Sequence, residues 1–172
     1  MDITWLGQLG YALPLAIAAA GSGLGIGSAG TAAAGAWAKE AKEGKPMEFK
    51  YMALIGMPLS QTLYGFLFMF ISYKTLDPQI LAAFPGTIFS LGLACGLGQL
   101  FSAWWQGHIG AAGIRAMSES EGKPFANILI AMGIAETVGI FAFVFCMLLM
   151  PNEESLKILN EAKAAIENLP LK

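Results

Sequence analysis

Ile134-Ala135-Glu136-Thr137-Val138-Gly139 places one carboxylate near the middle of an apolar segment that runs from Pro124 to Met150. Glu136 is the only acidic side chain in that segment. The segment is long enough to span a hydrocarbon core as a helix. A charged side chain at bilayer depth costs about 2.5–3.5 kcal/mol on insertion scales. Such a residue persists where a proton, a bound cation or a basic partner neutralises it. The position therefore points to ion handling.

The rest of the chain supports a membrane setting. Of its 172 residues, 56% are hydrophobic and only 13% are charged. Apolar content is above, and charge well below, that of a soluble domain. No charged side chain occurs from Ile3 to Ala38 or from Tyr51 to Tyr73. From Pro78 to Ile114 the only titratable side chains are Cys95 and His108. With the Glu136 segment, these stretches predict four transmembrane helices. Four spans leave no room for a soluble catalytic domain. The start lacks the basic n-region of a cleavable signal, and its apolar run is too long for one. It is read as the first helix. Cys95 and Cys146 lie inside apolar spans and read as small hydrophobes. The net charge of −2 argues against nucleic-acid binding.

The chain repeats itself. Glu43-Gly44-Lys45-Pro46 recurs as Glu121-Gly122-Lys123-Pro124, and Ala33-Ala34-Gly35 as Ala111-Ala112-Gly113. Gln61-Thr62 matches Glu136-Thr137 at a slightly smaller shift. In order, and flanked by equivalent spans, these matches indicate a duplicated helical hairpin. Residues 1–75 form the first hairpin, 76–150 the second, and 151–172 a tail. Each hairpin has an even number of spans, so both run in the same direction, unlike inverted repeats.

The loop 39–50 carries Lys39, Lys42, Lys45 and Lys50 beside Glu40, Glu43 and Glu48. The loop 115–124 carries Arg115 and Lys123. The positive-inside tendency places both on the cytoplasmic face of the plasma membrane, with the termini outside. Lys157, Lys163 and Lys172 in the tail pull against that orientation. Glycines crowd the first span (Gly21, Gly23, Gly25, Gly27, Gly30) and the third (Gly92, Gly96, Gly98). Such small residues allow close helix approach, inside one protomer or in the inner layer of a ring. The duplication favours the ring. The tail predicts a short amphipathic helix, with Asn152 as N-cap and Leu156, Leu159, Ile166 and Leu169 as a rough stripe.

Around Glu136 the sequence offers oxygens. Met57, Ser60, Gln61 and Tyr64 share one face of the second span. Pro58 in the same span removes a backbone donor and predicts a kink. Gln106 lies on the third span. Hard cations take oxygen ligands, and a monovalent cation would leave a site with one carboxylate neutral. Two amides and a hydroxyl exceed what a proton needs, although the amides alone would also serve as glue between helices. Tyr64 can donate to Glu136 and fix its rotamer, or stand as an interfacial aromatic. His108, Trp104 and Trp105 are expected at the membrane–water boundary.

At these residues the chain resembles the proteolipid (K or c) subunit of bacterial V-type ATPases. The resemblance rests on Met57-Pro58-Leu59-Ser60-Gln61-Thr62-Leu63-Tyr64-Gly65-Phe66, on Gln106-Gly107 with Ala111-Ala112-Gly113-Ile114, and on Ala135-Glu136-Thr137. It covers about residues 10–150 and is nearest the Na⁺-translocating branch. It implies a non-catalytic rotor subunit in a homo-oligomeric ring. The ring would face a stator subunit bearing a basic residue, with a central-stalk subunit on the cytoplasmic loops and lipid around it. It also implies Na⁺ held by Met57, Ser60, Gln61, Gln106 and Glu136, with Tyr64 bonded to the glutamate. The alternative cargo is H⁺ alone. The chain departs from the pattern at Leu59, where a small residue is usual, and at Ser60, where threonine is common. The bulky Trp104 and Trp105 and the tail depart as well. A four-helix proton-coupled exporter and a structural scaffold are the rival classes. Neither calls for amides and glycines gathered at a mid-span carboxylate.

Overall fold

A computed structural model describes residues 3–169. The outer ends of the first hairpin and the tail, 1–2 and 170–172 with Lys172, lie outside the described residues. Among the described residues every regular element is helical. Helix α1 is Thr4–Lys42, α2 is Tyr51–Gly56, and a 3₁₀ turn at Met57–Leu59 leads into α3, Ser60–Thr75. Helix α4 is Pro78–Ala83, α5 is Pro85–Glu119, α6 is Phe125–Leu148 and α7 is Glu153–Glu167. Four helical stretches are long and apolar enough to cross a membrane: α1, Tyr51–Thr75, α5 and α6.

The repeated Glu-Gly-Lys-Pro motif is a helix stop. Gly44 and Gly122 both have positive φ (68° and 79°), which glycine adopts without a Cβ penalty. Backbone bonds close the helix ends: Lys45 N–H donates to the Glu40 carbonyl and Gly122 N–H to that of Met117, each at 2.9 Å. At 39 residues, α1 rises about 58 Å, nearly twice the ~30 Å hydrocarbon core. Its charged end therefore stands clear of the membrane. There Glu40 is buried. Its carboxylate accepts from the Tyr51 hydroxyl at 2.5 Å and from Glu48 N–H at 2.9 Å. Trp37 Nε1 donates to the Glu48 carbonyl at 3.0 Å, which seats the loop on the helix.

Helices α1 and α5 form the most intimate pair, with α3 against α1, α6 against α5, and α3 touching α6. Gly10 meets Gly92 and Gly25 meets Gly107 backbone to backbone, so closely that a Cβ at either Gly92 or Gly107 would strike the facing helix. Of the first-span glycines, Gly21 and Gly25 face α5, whereas Gly23, Gly27 and Gly30 look into open space. The stripe thus divides between contacts within the protomer and an outward face. Tyr51, Leu54, Ile114, Met117 and Met132 pack with alanines of α1 near the loop end. Phe68, Cys95 and Cys146 pack near the other end.

The third span differs from the expectation that it starts at Pro78. The short helix α4 stops at Ala83, and α5 begins at Pro85. Phe84 takes φ −126° and ψ 39° because a residue before proline is pushed out of the helical region. Asp77 caps α4 by accepting from Gln79 N–H at 2.6 Å. The tail is helical as its sequence suggests. Asn152 and Ser155 form a reciprocal capping box, and α7 packs against α4. Leu156 and Leu159 are half-buried there, while Ile158, Ile166 and Leu169 are exposed.

Candidate functional site

The expected kink is a single 3₁₀ turn at Met57–Leu59, centred on the buried Pro58. Proline has no N–H to give the preceding turn. The Ser60 hydroxyl donates to the Met57 carbonyl at 3.0 Å and approaches Gln61 Oε1 at 3.1 Å. Gln61 is fully buried and turns its amide nitrogen toward α5. Gln61 Nε2 donates to Ser102 Oγ at 3.0 Å and to Gln106 Oε1 at 3.3 Å. Gln106, also fully buried, donates from Nε2 to the Met132 carbonyl at 3.1 Å and to Glu136 Oε2 at 3.3 Å. The Tyr64 hydroxyl donates to the other carboxylate oxygen, Glu136 Oε1, at 3.2 Å.

The structure therefore gathers all six residues singled out from sequence into one connected network. It runs from the Met57 carbonyl through Ser60, Gln61 and Gln106 to Glu136, and Tyr64 closes it. Each carboxylate oxygen has its own donor. The Met57, Ser60 and Gln61 oxygens lie together on the α3 side of the network. The donor chemistry fits a hard monovalent cation: oxygens, one negative charge and no sulfur or imidazole. Gln106 departs from its expected role. It meets Glu136 through its nitrogen, and its oxygen is taken by Gln61. To turn that oxygen toward a cation, the amide must rotate and release Met132, Glu136 and Gln61.

Sequence reading missed two residues of α5. Ser102 and Gln99 are buried. Ser102 Oγ donates to the Ala135 carbonyl at 2.9 Å, and Gln99 Nε2 donates to that of Gly139 at 2.7 Å. Their signal was present, because 99, 102 and 106 fall at i, i+3 and i+7 and make one polar face on an apolar helix. His108 lies on the exposed side of α5, its ring 5.5 Å from that of Trp105 and 6.0 Å from that of Trp104. None of these three makes a hydrogen bond within the network.

Glu136 is half-buried, with Gln106 behind it and an apolar outer face around it. Ile130, Ile134, Val138, Phe141, Phe145 and Leu148 make that exposed face of α6 largely apolar, with the Thr137 hydroxyl turned back onto the Ile134 carbonyl. Such a protein is a polytopic helical membrane protein with its one intramembrane acid at the outer edge of the bundle. The ATP synthase C-subunit family matches residues 9–72 and 89–149, and the chain belongs to that family. The two stretches fall one on each hairpin, while α4 and α7 lie outside both. Comparison with curated proteins returned no match. The family gives the class of function: a non-catalytic proteolipid of an ion-translocating rotor, built as a homo-oligomeric ring beside a stator subunit. ATP is hydrolysed on other subunits.

Proposed function

We propose that this chain is the Na⁺-carrying rotor subunit of a rotary V-type ATPase. The observation that carries the sodium reading is the convergence of the Met57 carbonyl, the Ser60 hydroxyl and the Gln61 amide oxygen on the network that ends at Glu136. A proton needs a carboxylate and one acceptor; this many oxygens suit a partly dehydrated cation. Na⁺ sits between the α3 oxygens and the carboxylate, with Gln106 turning its amide to add the fifth oxygen. The bound ion cancels the charge of Glu136, so the loaded protomer can face lipid as the ring turns. At the stator a basic side chain competes for the carboxylate and releases the ion.

The V-type reading rests on the count of acids. Two hairpins share one mid-span carboxylate, and Gln61 occupies the position equivalent to Glu136 in the first hairpin. Fewer ions per hairpin mean more ATP energy per ion, which suits a pump against a steep gradient. Each ion moved against the membrane potential requires about 2.3 kcal/mol per 100 mV. The loops 39–50 and 115–124 face the cytoplasm in this proposal and carry the central stalk, and both termini face outward.

The test is chemical modification of the isolated ring. A hydrophobic carbodiimide should label Glu136, and Na⁺ at fixed pH should slow the labelling in a saturable way. Labelling that responds to pH but not to Na⁺ would leave a proton-only rotor as the correct cargo assignment.

A further inference from the structure

Three side chains of α5 face α6 and donate to its backbone in antiparallel register. Gln99 reaches the Gly139 carbonyl, Ser102 that of Ala135, and Gln106 that of Met132. The middle rung differs from the outer one at Gln99 because it has a second partner. Ser102 Oγ also accepts from Gln61 Nε2 at 3.0 Å. A hydroxyl has one proton, and here the proton goes to a carbonyl that can only accept. Ser102 can therefore offer Gln61 only a lone pair. That forces the nitrogen of the Gln61 amide toward α5 and its oxygen toward Ser60 and the Met57 carbonyl. The carbonyl of Ala135, next to Glu136 in the chain, thus sets the polarity of an amide on another helix.

We infer that Ser102 is a positioning residue of the cation site, orienting the Gln61 amide so that its oxygen faces the ion. This rests on the sodium reading above. Without the Ser102 hydroxyl, the Gln61 amide keeps only Gln106 as an acceptor for its nitrogen, and the carboxamide can turn over. The turned amide presents N–H to the cation. Binding of Na⁺ then weakens, while in the ion-free site the carboxylate keeps its own donors, Tyr64 and Gln106.

The test compares Ser102→Ala, Ser102→Thr and Gln99→Leu with the wild-type ring, reading the Na⁺ concentration that half-protects Glu136 from carbodiimide at fixed pH. Ser102→Ala is expected to raise that concentration about tenfold, the order of one buried hydrogen bond. Ser102→Thr keeps the hydroxyl and adds one methyl group. It should restore the wild-type midpoint. Gln99→Leu removes a rung of the same ladder without touching Gln61, and its midpoint should stay within about twofold of wild type, less than one hydrogen bond. An unshifted Ser102→Ala ring, an unrescued one, or an equal shift in Gln99→Leu overturns the assignment while leaving sodium binding intact. A wild-type ring without Na⁺ protection removes the sodium reading itself, and the role of Ser102 in it.

Discussion

Tyr64 and Gln106 hold Glu136 from two sides, one donor to each oxygen. The two donors differ in setting. Gln106 is fully buried between α5 and α6, whereas Tyr64 is half-buried on α3 with its ring stacked near Phe143. Removing the tyrosine hydroxyl leaves the ring in place and frees Oε1. The glutamate can then swing toward the lipid-side face of α6, away from the α3 oxygens. Tyr64→Phe should therefore weaken Na⁺ protection about fivefold, in line with one partly exposed charge-assisted bond. It should also speed carbodiimide labelling in the absence of Na⁺. Labelling kinetics on the purified ring check both effects, and an unchanged rate without Na⁺ would mean that the hydroxyl does not hold the carboxylate closed.

At the scale of elements, the α1–α5 contact governs whether the bundle forms. Gly92 lies so close to Gly10 that any side chain must separate the helices, and overpacking of this kind costs about 1–3 kcal/mol or more. Gly27 has open space where its Cβ would be. Gly92→Val should leave little detergent-stable protein, whereas Gly27→Ala should yield a normally folded protomer; size-exclusion profiles and thermal melts distinguish them. The glycines also show what was legible from sequence. Long uncharged runs gave the four spans, and the Glu-Gly-Lys-Pro repeat located both hairpin turns, because helix stops depend on local backbone chemistry. Which glycines meet a partner depends on rotation of one helix against another, and Gly23 and Gly25 read alike in the chain. The same limit hid Ser102 and Gln99, whose partners are backbone carbonyls that no side-chain pattern reveals. Glu40 was missed for a related reason: its burial comes from Tyr51 and the loop backbone folding back over it.

At the scale of the whole molecule, one chain supplies one mid-span acid, and the assembly is a ring of such chains. On the proposed reading every protomer passes the stator in turn, and each passage depends on exchange of an ion at Glu136. Glu136→Gln keeps the size of the side chain and an oxygen able to accept from Tyr64, so the ring should assemble normally. It cannot bind and release a charge, and a ring made only of this variant should transport nothing. In mixed rings the arrangement makes a sharper demand. A single inert copy stops rotation when it reaches the stator, so the active fraction follows the wild-type fraction raised to the number of copies. Co-expressing the two forms in equal amounts should leave far less than half of wild-type transport in reconstituted vesicles, with the protomer ratio in the purified ring verified by mass spectrometry. Transport that instead declines in simple proportion to the wild-type fraction would show that protomers carry ions independently, and sequential rotation past a stator would not describe this ring.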